Sequence, residues 1–259
     1  MNRIVFLGTA GARIVVFKQL RASGGIWFSL LDNEILVDPG PGSLVKCLSR
    51  KRKLDPTTLQ AIILTHRHLD HSGDVNIMIE AMTEGGSAPR GKLLAPADCF
   101  DDDPVVLRYL RAFLQEIIYL KSGGVYEIGR VRVSTPIRHI HGDVETYGLH
   151  FQLEKSSIAY VSDTRYFDEL VDAYRADILV LNVVRYTPIP YDHLDLDGAR
   201  QLISGIKPKL AVLTHFGMTM LKARPWELGP RLTKELGVEV LCARDGMTID
   251  LDERLTSLQ

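Results

Sequence analysis

A chain of 259 residues, 46% of them hydrophobic and 24% charged, is long enough to bury a sizeable core in one large or two small domains. Its formal net charge of −1 argues against broad electrostatic attraction to nucleic acid or anionic membranes, and no apolar run is long enough to span a bilayer. The three cysteines (Cys47, Cys99 and Cys242) lie far apart, which argues against a disulfide framework or a cysteine zinc site and favours a cytoplasmic location.

The first half of the chain alternates short apolar runs with segments of helical periodicity. Glycine pairs and Asp32-Asn33 separate the first runs, as in a strand meander. The acidic run 101–103 precedes the last segment and would complement a helix N-terminus. The patterns predict strands at Ile4–Leu7, Ile26–Leu31, Glu34–Val37 and Ala61–Leu64, and helices at Ser43–Lys51, Val75–Met82 and Pro104–Tyr119.

The second half repeats this order of strands followed by helices. No linker, low-complexity segment or sequence repeat divides the chain, so we expect one α/β domain over residues 1–259, with two sheets inside and helices outside. Strands are predicted at Gly124–Glu127, Val131–Ser134, Tyr147–Leu153, Ser157–Val161, Ile178–Leu181 and Leu210–Leu213, and helices at Glu169–Tyr174, Leu196–Ile206 and Trp226–Leu236.

The segment HRHLDH, residues 66–71, concentrates ligand-type side chains directly after the buried strand at 61–64. His66, His68, Asp70 and His71 fall within six residues where the chain leaves the sheet and turns. Imidazole and carboxylate together are the ligands of zinc, manganese or iron rather than calcium. Solvated turn residues are the simpler alternative, but four such side chains in six residues favour a metal site.

The chain resembles the metallo-β-lactamase superfamily, because the segment THRHLDH matches the HxHxDH signature of that superfamily. LVDPGPG resembles the first motif of that superfamily, with Asp38 as the acidic residue that orients the ligand loop. YVSDT resembles the motif of the bridging aspartate, here Asp163, and LTHF resembles the motif of the last histidine, His215. The resemblance covers nearly the whole chain and implies a four-layer αββα sandwich of two mixed sheets.

The resemblance also implies two divalent transition-metal ions, with zinc expected and manganese or iron as alternatives. One ion would lie on His66, His68 and a third histidine, and the other on Asp70, His71 and His215, with Asp163 between them. The third histidine is His139 or His141, and we predict His141 because it lies nearer to Tyr147-Gly148 and precedes a glycine. Flavodiiron oxidases have a glutamate in place of His68, and some β-lactamases have a cysteine in place of Asp163. Because this chain has neither replacement, the resemblance implies a dinuclear hydrolase.

The motif pattern is most similar to the ribonuclease Z and cyclic phosphodiesterase branch of that superfamily. FLGTAGAR at its start and His193 before a predicted helix carry this similarity. It implies a phosphodiesterase that acts on a small phosphodiester or cyclic nucleotide through a metal-bridging hydroxide. Asp70 and His193 are the predicted catalytic residues, and His193 would protonate a basic alkoxide leaving group. The simpler alternative is that His193 is a surface residue at a helix start.

Other functions and partners are weighed by what the chain lacks. No glycine-rich basic arm is present to grip tRNA, and the basic run 50–53 is interpreted as a solvated helix end, which argues against structured RNA. A small anionic substrate is expected, and the sequence is compatible with a homo-oligomer. A thioester or lactone hydrolase would use the same ligands. A binding protein on a retired hydrolase fold would leave these charged groups without metal, at an energetic cost.

Overall fold

Two mixed β-sheets of seven strands each form the centre of the computed structural model, which describes residues 2–87 and 89–257. The strands are β1 (Arg3–Phe6), β2 (Ile26–Leu30), β3 (Asn33–Val37), β4 (Leu59–Ile63), β5 (Lys92–Ala95), β6 (Glu116–Tyr119), β7 (Gly124–Ile128), β8 (Val131–Thr135), β9 (Leu149–Gln152), β10 (Ser157–Val161), β11 (Ile178–Asn182), β12 (Leu210–Thr214), β13 (Glu239–Cys242) and β14 (Thr248–Asp250). The strand order in the first sheet is β14-β1-β2-β3-β4-β5-β6. The strand order in the second sheet is β13-β12-β11-β10-β9-β8-β7.

Helices cover the outer face of each sheet. The helices are α1 (Ala12–Phe17), α2 (Ser43–Ser49), α3 (Leu69–Ser72), α4 (Val75–Met82), α5 (Glu169–Ala173), α6 (Leu196–Ile206), α7 (Met218–Lys222), α8 (Pro225–Leu236) and α9 (Leu251–Ser257). Buried side chains of α2 and α4 pack on the first sheet, and those of α5, α6 and α8 pack on the second. None of the helices described has the length and apolar character needed to cross a membrane.

The strand alternation produces the four layers. Phe28 on β2 points between the sheets and stacks on Phe151 of β9, with ring centroids 4.8 Å apart. Its neighbour Trp27 points to the other side and packs under the helices of the first sheet. Successive residues of a strand face opposite sides, so strands with two apolar faces are buried on both. The predicted αββα sandwich is confirmed.

The predicted helix Pro104–Tyr119 is wrong. The segment contains a short 3-10 helix at Arg108–Phe113 and then β6, which pairs in parallel with β5. Ile117 packs against the outer core of the first sheet, whereas the next residue, Ile118, packs between the sheets. Consecutive apolar residues that pack on opposite faces are typical of a strand, because a helix would turn the second residue by only about 100° from the first.

Parallel pairing directs several strand ends to one edge of the sandwich. β3 and β4 are parallel, as are β10, β11 and β12. The carboxyl ends of parallel strands meet at the same edge of a sheet. Polar residues that follow these strands are therefore brought together, and they include Asp38, His66, Asp163 and His215.

Candidate metal centre

Six of the chain's eight histidines and two aspartates meet at this edge. Two groups of three have donor atoms within 4.8 Å of one another: His66, His68 and His141 form one, and Asp70, His71 and His215 form the other. Asp163 joins both, once with His66 and His71 and once with His141 and His193. The geometry thus brings together all seven predicted ligands and His193.

The HRHLDH segment fits four donors into this space by turning sharply. His66 is buried beyond the end of β4, and His68 is the residue before the short helix α3. The backbone N–H of His71 donates to the carbonyl of His68 at 3.0 Å and closes the turn. Asp70 and His71 therefore reach the second group of donors while His66 and His68 reach the first.

Asp163 lies at the centre of the cluster and is buried. Its carboxylate oxygens are 3.4 Å from Nε2 of His193, 3.5 Å from Nε2 of His215, 3.6 Å from Nε2 of His71 and 3.8 Å from Nε2 of His141. Burial raises the pKa of the Asp163 carboxyl, but His215 and His71 outweigh it and hold that pKa well below the usual range. The carboxylate therefore stays negative at the point where four imidazoles converge.

Hydrogen bonds fix the tautomers of three histidines. Since a carboxylate and a carbonyl only accept, Nδ1–H of His71 donates to Asp38 at 3.0 Å and Nδ1–H of His141 donates to the carbonyl of Asp192 at 2.8 Å. Nδ1 of His66 lies 3.1 Å from the hydroxyl oxygen of Thr65. Because that oxygen accepts from Ser162 at 2.8 Å and Thr65 itself donates to Asp38 at 2.8 Å, His66 is assigned as the donor. In the neutral form of each ring, Nε2 is therefore the nitrogen left to act as a metal donor.

Asp38 supports the ligand loop without entering the cluster. It accepts from the backbone N–H of Thr65 at 2.7 Å and from the hydroxyl of Tyr160 at 3.2 Å, in addition to Thr65 and His71 side chains. These bonds tie β3, β4 and β10 together behind the histidines. The role that the sequence resemblance implies for Asp38 agrees with these contacts.

The backbone is strained at two site residues. Asp38 and His215 adopt φ angles of +51° and +60°, which side-chain-bearing residues seldom occupy, although Asp and His do so more often than most. Glycines pack against both: a Cβ on Gly25 would lie 2.3 Å from the carbonyl oxygen of Asp38, and a Cβ on Gly11 would lie 2.2 Å from that of His215. Gly11 of the FLGTAG motif thus lets the backbone pack closely against the loop that carries His215.

The donor set fits a divalent transition metal. Nε2 atoms of His66, His71 and His215 are buried and have no hydrogen-bond partner. A buried unsatisfied polar atom costs about 1–3 kcal/mol, and a metal ion at the cluster would satisfy all three. Imidazole nitrogens with carboxylate oxygens suit zinc, manganese or iron. These residues could therefore hold such ions, and the buried Nε2 atoms without hydrogen-bond partners support this assignment.

The electric field of the carboxylates favours cations in the second group of donors. Burial lowers the pKa of His71, but Asp38, Asp70 and Asp163 together raise it well above the ordinary value. Burial likewise opposes protonation of His215, yet Asp163 and Asp70 raise its pKa to about 9. In the first group burial dominates and lowers the pKa of His68 to about 4. Metal binding would displace protons mainly from the second group.

His141, and not His139, belongs to the cluster. Nε2 of His141 lies 3.0 Å from Nδ1 of His68. His139 is buried behind the site, where both ring nitrogens have partners: the hydroxyl of Tyr174 at 2.8 Å and the carbonyl of Asp163 at 3.3 Å. His139 thus packs the backbone of Asp163 in place. The remaining histidine, His150, bonds the carbonyl of Arg175 and takes no part.

Alanine at these two histidines is expected to give opposite results. His141→Ala should lower metal content, because it removes a donor, while leaving the fold intact. His139→Ala should leave metal content near that of the unmodified protein but cost about 1–3 kcal/mol of stability, because it removes the acceptor of the buried Tyr174 hydroxyl. Elemental analysis and thermal unfolding of both variants test this pair, and metal loss confined to His139→Ala would contradict it.

Several supporting residues were not predicted from the sequence. Asn182, the last residue of β11, donates to Asp163 at 2.8 Å, and the Asp192 carbonyl holds His141. A polar residue that ends an otherwise apolar strand was a usable signal for Asn182. The contact of Asp192 could not be found in this way, because a backbone carbonyl leaves no trace in the sequence.

His193 lies at the rim of the cluster in the loop before α6. Its side chain is 22% exposed, and its Nε2 is 3.4 Å from Asp163. It is thus close enough to the donors to contact a molecule bound there, and its catalytic role stays a prediction.

Two relatives are similar to this chain over almost its full length. An uncharacterized protein of Methanocaldococcus jannaschii is 30% identical over 96% of this chain and 94% of its own. A UPF0173 metal-dependent hydrolase of Sulfolobus acidocaldarius is 24% identical over 90% of this chain and 99% of its own.

Solved structures share the fold. The metallo-β-lactamase fold protein YhfI of Bacillus subtilis superposes with a TM-score of 0.79, at 19% identity over 96% of this chain and 98% of its own. A diphosphatase of the PhnP family gives a TM-score of 0.71, at 22% identity over 97% and 98% of the two chains. The model of the β-lactamase superfamily domain matches residues 33–216, which include all the predicted ligands. The chain therefore belongs to the β-lactamase superfamily and has the metallo-β-lactamase fold.

Proposed function

We propose that this protein is a metal-dependent hydrolase of small phosphodiesters. The observation that carries the proposal is the convergence of His66, His71 and His215 on one space, with buried Nε2 atoms that have no hydrogen-bond partner among the described residues. Such a set is costly without a cation and is arranged for one. The metal-dependent hydrolase of Sulfolobus acidocaldarius and the PhnP-family diphosphatase support hydrolysis and phosphorus chemistry.

Two ions would be shared among the seven donors. His66, His68 and His141 would hold one, Asp70, His71 and His215 the other, and Asp163 both. When bound, such ions supply Lewis-acid chemistry, which polarises a phosphoryl oxygen and makes water more acidic.

The protein's own residues supply orientation and proton transfer. Asp70 is partly exposed, 3.5 Å from His215, so its carboxylate can accept a hydrogen bond from the attacking water and aim it. Asp163 accepts from Asn182 and is thereby held in one rotamer. His193 at the rim can donate a proton to the departing oxygen, which is worth about a hundred- to ten-thousand-fold for a basic leaving group.

A substrate panel tests this proposal. We expect turnover of bis-p-nitrophenyl phosphate and of cyclic nucleotides that is lost after chelation and restored by zinc or manganese. A thioester and a lactone serve as comparison substrates because the same donors could serve their hydrolysis. Faster turnover of either, with no phosphodiester activity at any metal loading, would replace the phosphodiesterase proposal by that alternative.

A further inference from the structure

A basic groove of about 750 Å³ runs along β14, the edge strand of the first sheet. It lies between the segment that follows α2 and the C-terminal helix α9. Its apolar lining includes Leu54, Leu241 and Met247. Its charged lining consists of Arg3, Arg50, Arg52, Lys53, Asp250, Glu253 and Arg254.

Positive charge in the basic groove is poorly compensated by the chain itself. Within residues 2–87 and 89–257, Arg3, Arg50, Arg52 and Lys53 form no ion pair, whereas Arg254 pairs with Glu239 at 2.8 Å. Five basic residues line the groove against two acidic ones, Asp250 and Glu253, so the lining carries a net charge of +3. On a chain with a net charge of −1, this is a local excess of cations and not a reflection of the whole.

Arg50 is the best-positioned donor in the basic groove. Its guanidinium is held at two nitrogens, where Nε–H donates to the carbonyl of Arg52 and Nη2–H to the hydroxyl of Thr248, both at 3.1 Å. Its Nη1 is buried and has no hydrogen-bond partner among the described residues. Burial lowers the pKa of Arg50, and the nearby charge of Arg3 acts in the same direction. An anion in the groove would relieve both the repulsion and the unsatisfied N–H.

The basic groove is separate from the metal centre. Arg3 begins β1, whereas Thr9 lies beyond the other end of that strand and accepts from the backbone N–H of Phe216, next to His215. None of the predicted metal ligands is among the residues that line the groove.

We propose that the basic groove binds the phosphate chain of a small polyphosphate. Arginine guanidinium groups match phosphate oxygens through paired N–H donors. The groove offers three such groups, those of Arg3, Arg50 and Arg52, and none of them has an acidic partner among the described residues. Its volume falls in the range of small-molecule sites, about 300–1,000 Å³. The apolar residues Leu54, Leu241 and Met247 leave room for an organic group beside the phosphates. The ligand class is thus a nucleoside triphosphate or an inorganic polyphosphate.

Calorimetric titration of metal-loaded protein with tripolyphosphate and with ATP tests the proposal. Arg52→Gln removes a charge that lines the groove, while Lys51→Gln removes a neighbouring exposed charge outside it. We expect Arg52→Gln to weaken binding by about tenfold, because Arg52 can contact the ligand, and Lys51→Gln by less than about twofold, because a charge outside the groove acts only through screened solvent. Arg50→Lys should also weaken binding, because lysine keeps the charge but loses the paired donors. Tighter binding of ATP than of tripolyphosphate would identify a nucleotide, and equal affinity the inorganic chain.

Hydrolysis of bis-p-nitrophenyl phosphate separates the basic groove from the metal centre. Both glutamine variants should retain the kcat and KM of the unmodified protein for this substrate. Equal weakening by the two variants, or no saturable binding, would overturn the proposal. Competitive inhibition of hydrolysis by the polyphosphate, with an inhibition constant equal to the Kd from calorimetry, would also overturn it, because this result would place the polyphosphate at the metals. A short single-stranded oligonucleotide that binds more tightly than ATP would overturn it in favour of an extended nucleic-acid surface.

Discussion

Replacing Asp163 with alanine is expected to remove metal from both halves of the site and to lower phosphodiester hydrolysis by more than about a hundredfold. The carboxylate lies within 3.8 Å of Nε2 of His71, His141, His193 and His215, so its loss removes a donor that lies between the two groups. Loss of a partner that only orients a ligand costs about 10–100-fold, and loss of the shared ligand should cost more. Elemental analysis and initial rates measure both effects.

Asp168→Ala is the matched control for Asp163→Ala. Asp168 is exposed, and its carboxylate accepts from the hydroxyl of Tyr166 at the surface, so the same loss of one carboxylate should change neither metal content nor rate. Circular dichroism should show both variants folded. Full metal content in folded Asp163→Ala would remove Asp163 from the ligand set.

The second large effect concerns His193 and depends on the leaving group. Its Nε2 lies at the rim, 3.4 Å from Asp163, where it can donate to a departing oxygen. His193→Ala should slow a nucleoside phosphodiester by about a hundred- to ten-thousand-fold and barely slow a p-nitrophenyl ester, whose phenolate departs unaided. Paired kcat values for the two substrates measure the difference.

Metal content separates this role from ligand binding. We expect the His193→Ala variant to keep its metal, because the predicted donor set is complete without it. His150→Ala, which changes a histidine outside the cluster, should leave both rates unchanged. Equal slowing of the two substrates in His193→Ala would assign His193 to substrate binding or to folding of the loop.

The sequence predicted the layers and the cluster because both depend on local patterns. Apolar alternation located the strands that lie at the centre of each sheet, where both faces are buried. The resemblance carried by HRHLDH, YVSDT and LTHF implied that Asp163 and His215 lie beside this segment, and the geometry brings them together. Parallel strands carry such residues to one edge whatever the intervening sequence.

Edge strands and backbone contacts were harder to predict. β13 and β14 are short, with four and three residues, and they form only by pairing with neighbours distant in sequence. β6 was predicted as helix because Pro104–Tyr119 has helical spacing, and its pairing with β5 decides otherwise. The basic run 50–53 follows α2 and is exposed at residues 51–53, as expected for a solvated helix end, but the sequence did not predict that Arg50, Arg52 and Lys53 line a groove with β14.

The metal content of the unmodified protein, measured together with its activity, tests the central claim most directly. Protein stripped by chelator should be reconstituted with zinc, and bound metal and hydrolysis of bis-p-nitrophenyl phosphate followed in the same titration. We predict saturation at about two ions per chain, with activity that rises along with the bound metal, as expected for a paired site. Saturation at one ion or fewer, or hydrolysis that is unchanged in the stripped protein, would contradict the account.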